Sequence, residues 1–215
     1  ANPADDTEAS LAAAARYDAI YNRFFMGGIF HKSYPELVLE GLEPHLPKGW
    51  DSDFDLIGAP VDWCGINYYT RSNIAATDGA WPNIQAVEGP LDKTQMGWEI
   101  YPDGLYEFIM RTDREYTKGL PIYVTENGMA NDDKSIAGCI TDDARIAYIE
   151  AHLQAAMHAI QEGAPLVGYY IWSLLDNYEW ALGYEMRFGL VHVDFDTLER
   201  RPKKSFDTLK AWIAR

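Results

Sequence analysis

Cysteine is scarce. The 215 residues include two, Cys64 and Cys139, too few for a disulfide framework or a metal knuckle, so free thiols in a reducing compartment, the cytoplasm, are expected. Basic residues are also few. Lys and Arg total 18 against 33 Asp and Glu, a formal charge of -15. A surface that negative repels phosphate backbones and anionic headgroups, so neither nucleic acid nor membrane is an expected partner. The longest strongly apolar stretch, Leu166 to Leu175, is about half of the ~20 residues a spanning helix needs. No charged-then-apolar leader opens the sequence, and a soluble protein is expected. Repeats, charge blocks and Gly/Ser linkers are missing too, so residues 1–215 read as a single domain or part of one. What is plentiful is aromatic: 13% of residues, with 7 Trp and 14 Tyr. Aromatic faces that are not all core often serve a ligand with flat apolar patches.

Helical and extended patterns alternate. Ser10 to Phe25 carries apolar residues near 3.6 spacing behind a capping Ser and predicts a helix. Val61 to Thr70 is β-branched and aromatic without a helical period and predicts a strand. A long polar loop through Gly79, Pro82, Gly89 and Pro90 follows. Gly104 to Lys118 predicts a helix stopped by Gly119. Pro121 to Asn127 predicts a strand buried on both faces, and Thr141 or Asp142 caps a helix running to Gln161. Leu166 to Ser173 predicts a third buried strand, and Lys203 to Ala214 a closing helix. This is the grammar of βα units, either a doubly wound sheet or part of a (β/α)8 barrel. In a barrel, chemistry sits where the strands end. The three strands here end in Asn67-Tyr68-Tyr69, Glu126-Asn127 and Trp172-Ser173.

Alternation sends Asn67 and Tyr69 to one side of their strand and Tyr68 to the other. The plain alternative is an Asn opening a turn and a Tyr with its hydroxyl in water. Glu126 closes a strand just before Asn127-Gly128, a pair suited to positive φ and a sharp turn. A carboxylate there serves as nucleophile or base, or else as a capping or salt-bridging group. Trp172 to Gly189 mixes Trp172, Tyr178, Trp180, Tyr184 and Phe188 with Asp176, Glu179 and Glu185. Pyranose rings require such a mixture, with C–H faces on indoles and hydroxyls on carboxylates, although a buried plug would also use it.

The strings GINYYT, MGWEIYPDGL, YVTENG and WSLLDNYEWALGYEMRFGLVHVDF, in that order, resemble the C-terminal half of family-one glycoside hydrolases, the β-glucosidase family. The likeness runs from about residue 10 to the end, with Tyr34-Pro35-Glu36 and the closing RRPKKS. It implies an α/β chain forming the C-terminal part of a (β/α)8 barrel, about three βα units plus a terminal helix, strands six to eight. It further implies hydrolysis of β-glycosides with retention. Glu126 is then the nucleophile and Tyr69 its hydrogen-bond donor, with Asn67 beside the same centre. Glu179 and Trp180 hold the sugar's outer hydroxyls, Trp172 forms the stacking floor, Phe188 the pocket edge, and Trp98 the aglycone side.

A retaining hydrolase needs two carboxyl groups ~5–5.5 Å apart. The family's acid/base glutamate belongs to an Asn-Glu-Pro motif that does not occur here; Glu43-Pro44 follows Leu42. The expected partners are therefore a β-glycoside or oligosaccharide and the N-terminal half of the same barrel as a separate chain, or else self-association. A non-catalytic carbohydrate-binding remnant is the alternative function. A glycone carrying a 6-phosphate is disfavoured, because Glu179 would repel it. No cofactor and no metal are expected: Asp51, Asp53 and Asp55 imitate a calcium loop but lack its Gly and Glu, and His192, Asp194 and Asp196 belong to a stretch that the family keeps without metal.

Overall fold

A computed structural model describes residues 1–136 and 139–214. In chain order its elements are β1 (Asn2–Pro3), α1 (Glu8–Asp18), α2 (Phe24–His31), α3 (Glu36–Leu42), α4 (Phe54–Ile57), β2 (Cys64–Asn67), β3 (Asn73–Ala76), β4 (Ile84–Val87), α5 (Pro102–Thr112), β5 (Ile122–Asn127), β6 (Lys134–Ile136), β7 (Cys139–Thr141), α6 (Asp143–Gln161), β8 (Leu166–Ile171), β9 (Val191–Val193), β10 (Arg200–Pro202) and α7 (Lys204–Ile213). They fall into two units. No helix among the described residues is long and apolar enough to cross a membrane.

The first unit comprises Ala1–Asp62, Arg71–Pro90 and Arg111–Leu120. Its first helix starts two residues ahead of the expected Ser10, because the Thr7 hydroxyl accepts from the Ser10 N–H and so supplies the cap. The helix passes through a π turn, Ala19–Arg23, into α2 and stops where Lys32 turns left-handed at φ 54°. Asp18 holds this turn by pairing with Arg23 at 2.7 Å and Arg111 at 2.9 Å. The expected polar loop is instead a hairpin: β3 pairs antiparallel with β4, and β1 adds in parallel to β3. Gly79 and Pro82 lie in its connection. The strands either side are four residues each, too short for period-two alternation to stand out from a loop.

The second unit comprises Trp63–Thr70, Leu91–Met110 and the chain from Pro121 onward. Its sheet has the order β2-β5-β8, with both pairings parallel. The connection from β2 to β5 contains α5, and that from β5 to β8 contains α6. Ile66, Leu105, Ile109, Ile122, Val124, Ala156 and Leu166 form the core between strands and helices. Burial along β5 alternates: Ile122 and Val124 are fully buried, while Tyr123 and Thr125 are half-buried. The expected burial on both faces therefore holds for one. The opposite face meets a shallow hollow lined by Trp63, Tyr123, Thr125 and Tyr170, with Trp63 and Tyr170 more than half exposed.

Candidate active site

Glu126 is the penultimate residue of β5, at the end of the sheet where its parallel strands finish. Its carboxylate accepts from the Tyr69 hydroxyl at 2.6 Å. The Tyr69 ring stands beside Trp98, centroids 5.4 Å apart, and edge-on to Phe188 at 6.2 Å. Burial first, then the bond to Glu126 and the charges of Glu126 and Glu179, push the Tyr69 phenol well above its ordinary range. It therefore remains a proton donor across the physiological range.

Asn67 pairs in register with Glu126 across the ladder. Its side chain is exposed, and its amide oxygen accepts from the Thr125 hydroxyl at 2.7 Å. Tyr68 points the other way, as alternation predicts, and is buried with its hydroxyl donating to the Tyr101 carbonyl. Trp98 is half-buried and Phe188 is 3% exposed. Phe188 thus meets Tyr69 and Trp98 as a packed wall.

Asn127-Gly128 forms no positive-φ turn. Asn127 is fully buried as the last residue of β5, and a Cβ on Gly128 would stand 1.9 Å from the Trp172 carbonyl oxygen. Glycine is needed there for close approach of two backbones. The Trp172 N–H donates to the Asn127 carbonyl at 2.9 Å, so Trp172 is fixed beside the Glu126 strand end. Further along, Glu179 is half-buried, and Trp180 is 81% exposed at φ 42° in a short 3-10 turn. Trp180 offers its indole face to solvent.

The acids of the aromatic run divide by environment. Asp176 is 4% exposed and accepts from the Lys203 ammonium at 2.9 Å, Arg187 at 2.8 Å and the Gly189 N–H at 2.9 Å. Burial would raise its carboxyl, but Lys203 and Arg187 outweigh that and hold it below the usual carboxylate range. Lys203 also pairs with Asp133, which binds Arg145 at 2.8 Å, and Arg145 pairs with Asp142. Asp142, expected to cap α6, makes no capping bond; it accepts from the Ser205 N–H and hydroxyl at the start of α7. This buried network ties the loop after Glu126 to the segment carrying Trp172, Glu179 and Phe188. Sequence reading missed it, because Asp133, Arg145 and Lys203 are far apart in the chain and carry no local pattern. His192 meets Asp176 at 3.4 Å, and no group of three metal-ligating side chains occurs among the described residues.

The model of glycosyl hydrolase family 1 matches residues 1–215. Beta-glucosidase A of Thermotoga maritima is 42% identical over 206 residues, 94% of this chain and 46% of that protein. The 6-phospho-beta-galactosidase of Streptococcus mutans is 38% identical over 232 residues, 95% of this chain and 48% of that protein. Among solved structures, a family 1 β-glucosidase from Thermotoga maritima superposes with a TM-score of 0.95 at 40% identity, covering 99% of this chain and 48% of that one. The chain thus spans about half the length of the relatives it matches, and its fold is an α/β portion of their (β/α)8 barrel. It belongs to glycosyl hydrolase family 1, corresponding to the C-terminal half of the members it matches.

Proposed function

We propose that this chain supplies the nucleophile and much of the glycone pocket of a retaining β-glycosidase, β-glucosidase-like, acting on terminal unphosphorylated β-linked sugars. The observation that carries the reading is the 2.6 Å bond from Tyr69 to a half-buried Glu126 at the strand end. A donor held on a carboxylate limits it to one orientation. An oxygen of Glu126 attacks the anomeric carbon, and the bond from that carbon to the leaving oxygen breaks. A carboxylic acid outside this chain protonates the departing oxygen. Water, deprotonated by the same group, then displaces Glu126 and releases the sugar with its configuration retained.

Around that centre, Trp172 is the stacking floor, Glu179 and Trp180 take the outer hydroxyls, Asn67 reaches a hydroxyl near the anomeric carbon, Trp98 faces the aglycone and Phe188 buttresses Tyr69. A 6-phosphate, which one relative's name implies, would meet the Glu179 carboxylate, and like charges in a partly desolvated site repel. The acid comes from the N-terminal half of the barrel, and residues 1–215 act as one partial barrel domain that joins it. The two free thiols, Cys64 buried and Cys139 exposed, suit a reducing compartment, the cytoplasm; cell fractionation checks this.

The test is complementation. This chain is assayed on a chromogenic β-glucoside and on its 6-phosphate, alone and mixed with a family 1 N-terminal half that carries the Asn-Glu-Pro glutamate. Turnover of the unphosphorylated glucoside in the mixture, abolished by Glu126→Gln, is the expected result. Full turnover by this chain alone would refute the division of labour, and preference for the phosphate would refute the glycone assignment. Sugar binding with no turnover in the mixture would favour the carbohydrate-binding remnant.

A further inference from the structure

The ladder that carries Glu126 is irregular on both sides. Pairing of β5 with β2 shifts register between Ile66 and Asn67, and pairing with β8 shifts between Val124 and Asn127. Such bulges re-aim a side chain at the cost of regular main-chain bonds. Here two main-chain bonds remain, from the Tyr68 N–H to the Glu126 carbonyl and from the Trp172 N–H to the Asn127 carbonyl, both at 2.9 Å, and side chains add to them. The Asn127 amide nitrogen donates to the Tyr68 carbonyl at 2.8 Å and to the Tyr148 hydroxyl at 3.1 Å, while its oxygen accepts from the Tyr169 hydroxyl. The Tyr148 hydroxyl in turn donates to the Tyr69 carbonyl at 3.0 Å.

Donor and acceptor identities leave one arrangement. A carbonyl only accepts, so the single Tyr148 proton goes to Tyr69, and the phenol oxygen must accept from Asn127. Asn127 cannot be flipped, because a flip would set its oxygen against the Tyr68 carbonyl, which only accepts. Tyr148 comes from α6, is 1% exposed and stacks on His152 at 3.9 Å. His152 Nδ1 lies 2.8 Å from the Tyr148 carbonyl. The chain of bonds therefore links the residue after Glu126 to the main chain of Tyr69 through one rigid buried ring.

We propose that Tyr148 is a positioning residue for the reaction centre: it holds the Tyr69 main chain so that the Tyr69 hydroxyl reaches Glu126. The role in catalysis rests on Glu126 being the nucleophile; the role in geometry does not. Tyr148→Phe keeps the ring and removes the staple. Tyr68→Phe is the matched control, since it deletes a neighbouring buried hydroxyl that bonds the Tyr101 carbonyl instead.

Crystal structures of both variants read the Tyr69 to Glu126 separation, and labelling by a 2-deoxy-2-fluoro-β-glucoside with an activated leaving group reads the glycosylation rate. Y148F is expected to lengthen that bond beyond hydrogen-bonding distance and slow labelling about 10- to 100-fold, with sugar affinity nearly unchanged. Y68F is expected to leave both readings at the wild-type value. An unchanged separation in Y148F, or equal effects of the two variants, would overturn the proposal. If wild-type protein takes no label on Glu126, the nucleophile assignment fails, and the crystallographic distance still decides the role of Tyr148. Should Y148F not fold, a 3-fluorotyrosine placed at 148 provides a nearly isosteric probe. Its fluorine resonance is expected to move on Asn127→Asp, which removes the amide donor to the Tyr148 oxygen, and an unmoved resonance would overturn the bonded chain on which the proposal stands.

Discussion

At the scale of single residues, the site works through a few atoms with fixed donor and acceptor roles. The Tyr69 hydroxyl donates to Glu126, so Tyr69→Phe removes one donor aimed at the carboxylate proposed as the nucleophile. Loss of a comparable preorganised donor costs about 10²-fold in kcat; we expect a fall of that order in the complemented enzyme with KM little changed, measured by steady-state kinetics. Trp180, exposed at 81%, should act on binding. Trp180→Ala is expected to raise KM about 3- to 10-fold while leaving kcat near its original value. His152 makes a different prediction. Burial lowers its pKa from 6.5 to about 4, so between those values the unfolded chain takes a proton that the folded chain refuses. Stability therefore falls as pH drops from about 6.5 to about 4, by up to about 3 kcal/mol. His152→Gln should flatten urea midpoints across that window; an unaltered pH slope would contradict the assignment. Asp176, whose carboxyl is held low, adds its own loss at more acid pH.

At the scale of elements, the ends of three parallel strands and the network beneath them set the geometry. Lys203 is 1% exposed and neutralises Asp133 and Asp176 together. Removing one partner of a buried ion network leaves uncompensated charge, which costs about 3–5 kcal/mol. Lys203→Met should lower the urea midpoint correspondingly; a loss below about 1 kcal/mol would show that the network is screened. Strands and helices with strong periodicity were legible in the sequence: Ile122–Asn127, Leu166–Ile171 and Asp143–Gln161 fall within the spans that patterning predicts. The hairpin β3–β4 was not, because four-residue strands beside Gly and Pro look like a loop. Glu126, Tyr69 and Trp172 lie at the ends of strands that patterning predicts and Trp180 lies in the aromatic run, whereas Trp98 and the roles of all five come only from the family resemblance. Asn127, Tyr148 and Lys203 did not stand out, since a residue that acts by holding another through space has no local signature.

At the scale of the whole molecule, the chain spans about half the length of the relatives it matches, and its parallel sheet has two edges. The outer strands β2 and β8 each have one ladder neighbour in that sheet among the described residues. Unpaired strand edges readily take another chain. The hollow lined by Trp63, Tyr123, Thr125 and Tyr170 is an apolar surface that a closed barrel would fill. With a formal charge of -15, two copies repel each other, so self-association should strengthen as salt rises. Sedimentation at low and high ionic strength is expected to show this, whereas assembly with a complementary half should persist at both.

The catalytic roles proposed for Tyr69, Trp172, Glu179 and their neighbours turn on whether Glu126 forms a bond to a sugar. The most direct measurement incubates the protein with a 2-deoxy-2-fluoro-β-glucoside bearing an activated leaving group, whose departure needs no acid catalyst, and maps the adduct by peptide mass spectrometry. One deoxyfluoroglucosyl group on Glu126, absent in Glu126→Gln, is the predicted result. Sugar bound without a covalent adduct, or an adduct on any other residue, would contradict it.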